Sequence, residues 1–144
     1  VFFDESKGGN STLYNFSYDV AFGHAVFAYL YQDGFMIASL SDGRHVIPKL
    51  AVKGDGEERM KDGGYYTDVV CGKKCFYILS QGDVETSGLS GTSSIEVYDY
   101  EGNPMKKINL DIIASHMVYD EINKRVIFSP SMDNDLHVLD YEFE

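Results

Sequence analysis

The stretch from Tyr66 to Gln81, YTDVVCGKKCFYILSQ, decides the fold, because an earlier stretch of the chain repeats it. The earlier stretch is Ser17 to Gln32, SYDVAFGHAVFAYLYQ, which lies 49 residues upstream, and six of the sixteen aligned positions are identical. Each stretch predicts an apolar strand, a short polar turn and a second apolar strand. The identical pairs are Asp19/Asp68, Val20/Val69, Gly23/Gly72, Phe27/Phe76, Leu30/Leu79 and Gln32/Gln81.

A second shift by 49 residues extends the repeat toward the end of the chain. It places Val118, Ile127 and Ser129 under Val69, Ile78 and Ser80. A third strand is predicted after each pair, at 35–40, 95–100 and 136–141, and a fourth at 45–50 and 105–110. Apolar residues recur at alternate positions there, which is the period of a strand and not of a helix. We expect eleven strands and almost no helix.

These strands group into three units, at 17–50, 65–110 and 114–141, and the last unit lacks its outer strand. Four-stranded antiparallel meanders at such a spacing are typical of β-propeller blades. The predicted fold class is therefore all-β, a single segment over 1–144 with about three blades of a six-bladed β-propeller. The chain has no Trp, which excludes blades of the WD and kelch types. A β-sandwich or a small barrel with a chance repeat is the competing fold.

The connections of a meander alternate between the two ends of its sheet. Short turns at 42–43, 72–74 and 101–103 are expected at one end. The long loops 52–64, 82–93 and 130–135 are expected at the other end. Loops elaborated on one face indicate a scaffold that presents its function there. The alternative is that they are tolerated insertions, because long loops cost little closure entropy.

The charge of the chain narrows the classes of partner. Its formal net charge is −11, from 23 acidic and 12 basic residues. A surface this acidic repels the phosphate groups of nucleic acids and of anionic membranes, so binding to either is disfavoured. It serves solubility or attracts cations and basic partners. No apolar run approaches the roughly 18–20 residues of a membrane span, so no transmembrane segment is expected.

Cys71 and Cys75 flank the turn at 72–74. Two cysteines without a further Cys or His pair make a poor zinc site, because zinc needs four ligands. The remaining alternatives are a disulfide across the hairpin and two small buried side chains.

Asp19 and Asp68 are repeat-equivalent acids placed early in innermost strands. Such positions converge near the axis of a propeller, where the two carboxylates could hold Ca²⁺ or another divalent cation. That arrangement would make the protein a metal-dependent, lactonase-like hydrolase. The alternative is that each carboxylate caps loop amides in its own blade and that no cofactor is bound.

Four residues are predicted near the mouth of the channel: Tyr65, Tyr66, Gln81 and His116. Tyrosines supply contact area at a low entropy cost, which suits a carbohydrate, peptide or protein ligand. A hydrogen-bonded structural histidine is the alternative for His116. We therefore expect a non-catalytic binding or scaffold module, with the hydrolase as the alternative.

Several segments resemble the C-terminal part of the TolB-like six-bladed β-propellers of Bacteroidetes. They are IEVYDYEGNP at 95–104, INLD at 108–111, VYDEINK at 118–124 and the preceding unit at 18–43. The resemblance implies the propeller fold and an exported protein, periplasmic or on the cell surface, and it brings no catalytic residues. A six-bladed member needs about twice this length. A complementary half is therefore expected, either sequence that precedes Val1 or a second chain.

Overall fold

A computed structural model describes residues 16–30, 34–40, 47–52, 66–80, 92–130 and 137–140. The first sheet contains β1 (Phe16–Ala21), β2 (His24–Tyr29), β3 (Gly34–Ser39) and β4 (Ile47–Val52). The second contains β5 (Tyr66–Cys71), β6 (Cys75–Ser80), β7 (Ser94–Asp99) and β8 (Pro104–Asn109). The third contains β9 (Ala114–Asp120), β10 (Arg125–Pro130) and β11 (His137–Asp140).

Each sheet is an antiparallel meander in which every strand pairs with its neighbour in the chain. The described residues form these eleven strands and their turns without a helix. The predicted all-β, antiparallel class is therefore confirmed. No helix within the described ranges is long and apolar enough to cross a membrane.

Local turn chemistry explains why the strands fold back on themselves. Phe22 and Gly23 connect β1 to β2 with φ values of 52° and 75°, and two positive φ values are the mark of a type I′ hairpin. In the turn after β7, Gly102 takes a φ of 90°. There the carboxylate of Asp99 accepts the backbone N–H of Asn103 at 2.8 Å and its side-chain amide at 2.9 Å. These hydrogen bonds lower the pKa of Asp99.

The sheets pack face to face in chain order. We call the face directed at the preceding sheet the leading face, and the face directed at the following sheet the trailing face. The leading face of the first sheet is the face opposite to the one that contacts the second sheet, and the trailing face of the third sheet is the face opposite to the one that contacts the second. One apolar cluster joins the first sheet to the leading face of the second, and another joins the trailing face of the second to the third. The first cluster contains Val26, Ala28, Phe35, Ile37, Tyr66, Val69, Cys71, Phe76, Ile78 and Tyr98. The second contains Val70, Cys75, Tyr77, Leu79, Ile95, Val97, Leu110, Ala114, Met117, Val126 and Phe128.

Cys71 and Cys75 belong to different clusters and therefore lie on opposite faces of the second sheet. Both are buried and free. Side chains on opposite faces of a strand pair cannot bridge. The disulfide alternative is therefore wrong, and both thiols are small buried side chains.

The second shift of 49 residues is wrong by one position. It aligned Val118 with Val69, but Val69 is buried on a leading face and Val118 is 58% exposed. The leading face of the third sheet carries Met117, Val126 and Phe128 instead. Because side chains alternate along a strand, a slip of one residue moves each of them to the other face.

Strand register fixes which connections share an end of the second sheet. Cys75 pairs with Asp99 at the end that carries the two short turns, and Ser80 pairs with Ser94 at the other end. The connection between β6 and β7 therefore departs from the end opposite to those turns, as predicted. The turn at 42–43, the loop 53–64 and residues 81–91 and 131–135 lie outside the described residues.

Candidate functional site

The first strands of the three sheets lie side by side. β1 contacts β5, and β5 contacts β9. Each of these strands is at an edge of its own sheet, so each carries backbone groups that point away from its partner strand. Buried or half-buried edge groups need hydrogen-bond partners from elsewhere. Here two aspartates supply them.

Asp19 joins the first sheet to the second. Its Oδ1 accepts the N–H of Val20 at 2.9 Å, and its Oδ2 accepts the N–H of Cys71 in β5 at 2.8 Å. The thiol of Cys71 also donates to the carbonyl oxygen of Asp19 at 3.5 Å. The side chain of Asp19 therefore joins the edge of β1 to the edge of β5.

Asp68 repeats this arrangement between the second sheet and the third. Its Oδ1 accepts the N–H of Val69 at 2.9 Å, and its Oδ2 accepts the N–H of Met117 in β9 at 2.7 Å. Within its own sheet each carboxylate accepts the N–H of the next strand residue and not a loop amide, and a second hydrogen bond goes to the following sheet. We call each of these carboxylates, with its two amide donors, an aspartate bridge.

The aspartate bridges bear on the metal-site alternative. In both carboxylates each oxygen already accepts a backbone N–H at 2.7–2.9 Å. A cation bound by the same oxygens would compete with these amides. Within the ranges that the structure describes, no three His, Cys, Asp or Glu side chains gather as a metal-ligating group.

Residues of β1, β5 and β9 and of their adjoining turns line an open depression of about 480 Å³. Its lining carries three carboxylates and three aromatic rings, and no Lys or Arg is among these lining residues. The lining residues are Tyr18, Asp19, Ala21, Phe22, Asp68, Val69, Val70, Cys71, Met117, Val118, Tyr119 and Glu121.

The buried nucleophile beside this depression is not activated. Burial, together with the charge of Asp19, raises the pKa of the Cys71 thiol to about 11. A thiol that stays protonated near neutral pH is a poor nucleophile.

The hydroxyl of Tyr100 donates to the carbonyl of Gly72 at 2.6 Å, and its ring stacks on His24 with centroids 3.6 Å apart. The sequence repeat does not predict this contact between the first two sheets.

Of the four residues predicted at the channel mouth, His116 lies beside the depression. Its side chain is 78% exposed, and its Nδ1 is 3.7 Å from Oδ2 of Asp68. It is thus placed where a ligand could reach it. Tyr65 and Gln81 lie outside the described residues.

Tyr66 lies in the core instead. Its side chain is 2% exposed, and its hydroxyl donates to Oε2 of Glu96 at 3.4 Å. A register shift between Tyr66 and Asp68 in the pairing with β6 explains the difference, because such a bulge turns the next side chain to the other face. Tyr66 therefore joins the leading face of the second sheet, and its role in ligand binding stays a prediction.

Comparison of the chain with models of protein families, with curated proteins and with solved structures finds no match. The resemblance to TolB-like propellers therefore stays a prediction, and the candidate site rests on its own geometry.

Proposed function

We propose that the three sheets are blades of a β-propeller and that the protein is a non-catalytic binding or scaffold module. The sheets follow one another as meanders, each with its first strand at the shared inner side, which is how propeller blades are arranged. The loops 52–64, 82–93 and 130–135 remain part of this proposal as a presenting face.

The ligand site of this module is the depression between β1, β5 and β9, and its preferred ligand is cationic. The observation that carries this assignment is the lining, with Asp19, Asp68 and Glu121 beside Tyr18, Phe22 and Tyr119. Carboxylates attract a positive charge, and aromatic faces bind ammonium and guanidinium groups. The net charge of −11 acts in the same direction. A peptide segment that carries Lys or Arg fits this chemistry best.

A binding role accounts for the acids better than hydrolysis does. Both carboxylate oxygens of Asp19 and of Asp68 already accept backbone N–H groups. They therefore contribute to the local potential without being free to act as a base or as a ligand pair.

Titration of the protein with acetylated tetralysine amide, followed by amide chemical shifts, tests this function. Tetraglutamate and cellotetraose serve as probes of opposite and of no charge. We expect tetralysine alone to shift the amides of β1, β5 and β9, with an affinity that falls as salt is added. If cellotetraose shifted these amides instead, the site would stand and its preference for cations would not. No shift in these strands with any probe would contradict the proposal.

A matched pair of variants separates the depression from the overall charge. Glu121→Gln removes one charge from the lining, and Asp111→Asn removes one from an exposed position outside it. Because a single exposed ion pair contributes up to about 1 kcal/mol, Glu121→Gln should weaken tetralysine binding by about 2- to 5-fold. Asp111→Asn should leave the affinity nearly unchanged. Equal effects of the two substitutions would indicate non-specific attraction only.

A further inference from the structure

Exposed apolar side chains collect around the depression between β1, β5 and β9. Tyr18, Phe22 and Val118 line it and are 64%, 40% and 58% exposed. Ile122, 91% exposed, directly follows Glu121, which is also a lining residue. A single exposed apolar side chain needs no explanation, whereas several beside one concave surface are typical of an interaction site.

The exposure of Ile122 belongs to an ordered turn. The carboxylate of Asp120 accepts the backbone N–H of Asn123 at 3.2 Å and its side-chain amide at 2.8 Å. The same carboxylate accepts Nε–H of Arg125 at 2.9 Å. These hydrogen bonds hold the turn on both sides of Ile122. An apolar side chain and the carboxylate of Glu121 are therefore presented at adjacent positions.

The backbone of Phe22 is in a conformation that its side chain disfavours. Its φ is 52°, at the first central position of the hairpin turn that joins β1 to β2. Asn, Asp and Gly are preferred at such positions, because a bulky side chain is crowded at a positive φ. The ring also stays 40% exposed, so burial within this chain compensates the strain only in part. Strain that persists at a concave surface points to a functional contact.

Each end of the depression pairs an acid with an exposed apolar neighbour in the chain. Asp19 follows Tyr18 in β1, and Glu121 precedes Ile122 in the turn after β9. Building on the proposed function, we propose that the depression takes a segment of a partner protein in which large apolar side chains adjoin the Lys or Arg. The carboxylates take the positive charge, and the apolar side chains of the segment pack on Phe22, Val118 and Ile122.

Two kinds of attraction then act on one ligand and respond differently to salt. Added salt screens the attraction between the cation and the carboxylates. It does not weaken the burial of apolar surface. An apolar and basic segment should therefore keep more of its affinity at high salt than tetralysine does.

Three peptides with acetylated N-termini and amidated C-termini test the proposal, with amide chemical shifts as the readout. They are Lys-Leu-Leu-Lys, Lys-Ala-Ala-Lys and Gln-Leu-Leu-Gln. The first should bind at least about fivefold more tightly than the second, which has the same charge and smaller side chains. It should also bind more tightly than the third, which has no charge.

The outcomes separate this proposal from the proposed function. Equal affinities for the leucine and alanine peptides would overturn the apolar contacts, and the cationic site would stand if tetralysine still bound. A glutamine peptide that bound as tightly as its lysine counterpart would overturn both. The absence of any shift in β1, β5 and β9, with tetralysine included, would also overturn both.

Substitutions of the apolar side chains identify the contacts. Phe22→Asn should unfold at the same or a higher temperature, because Asn tolerates a positive φ. Phe22→Asn and Val118→Ser should each reduce the preference for leucine over alanine at least about twofold. Met105→Ser, at a position on β8 with 55% exposure, is the matched control for Val118 and should keep the preference. A full preference in both lining variants, or an equal loss in Met105→Ser, would overturn the proposal.

Discussion

Two residues are identical on the leading faces of the first and second sheets, and they differ in exposure. Val69 and Phe76 are buried between two sheets, whereas their identical counterparts Val20 and Phe27 are partly or largely exposed. Identity of sequence therefore does not determine burial in this protein. Burial depends on whether another sheet packs on the residue. The contribution of each side chain to the free energy of unfolding should therefore depend on that contact and not on the residue type.

Phe76→Ala and Phe27→Ala measure this difference with one chemical change at equivalent positions. Phe76 is fully buried and contacts Phe35 and Tyr98, so its truncation leaves a cavity and should lower the free energy of unfolding by about 3–5 kcal/mol. Phe27→Ala should cost less, about 1 kcal/mol, because Phe27 is only partly buried. Urea unfolding measures both. Equal losses would mean that the first sheet's leading face is covered as fully as the second's.

The aspartate bridges give the next largest effect. Asp68→Ala removes the acceptor of the Met117 amide, and a half-buried donor left without a partner costs about 1–3 kcal/mol. Asp111→Ala, at an exposed position, is the control and should change stability by less than about 0.5 kcal/mol. Indistinguishable results for the two variants in urea unfolding would show that the bridge contributes nothing to holding the second and third sheets together.

The smallest expected effect is a pH dependence confined to the contact between the first two sheets. The Nδ1 of His24 is buried without a hydrogen-bond partner, and its ring stacks on Tyr100. Burial lowers the pKa of His24, and the charge of Glu101 opposes this effect. Because the folded state then binds the proton less readily than the unfolded state, stability falls as pH drops below about 6.5.

His24→Phe keeps a stacking ring and cannot be protonated. It should therefore flatten the pH dependence of thermal unfolding on the acid side of neutrality. The contact between the second and third sheets stacks Tyr77 on Tyr119 with centroids 5.4 Å apart and serves as the internal comparison, because neither ring gains a charge there. A dependence that survives in His24→Phe would have to come from other groups.

The strands were predictable from the sequence because alternation and turn residues are local signals. Val97 and Tyr98, for example, follow the expected two-residue period and lie on opposite faces. The equivalence of Asp19 and Asp68 was predictable from the first shift as well. Their hydrogen bonds to Cys71 and Met117 were not, because they depend on how closely two sheets approach each other.

Two side chains lie on faces that the sequence did not indicate, and both cases have one physical origin. An extra residue in one strand of a pair reverses which face the following side chains occupy. The bulge before Asp68 places Tyr66, a residue predicted near the channel mouth, on the buried leading face of the second sheet. A one-residue offset in the second shift likewise places Val118 at an exposed position, on the face opposite to Met117. Neither shift can be detected from the composition or the periodicity of the sequence.

Hydrogen exchange of the Cys71 and Met117 amides tests the central claim most directly, namely that aspartate bridges join consecutive sheets through their inner edges. Both amides point away from their partner strands and would exchange quickly at a free sheet edge. The account predicts that both are strongly protected in the native protein, and that Asp68→Ala releases the Met117 amide while Cys71 stays protected by Asp19. Rapid exchange of both amides in the unsubstituted protein would contradict it.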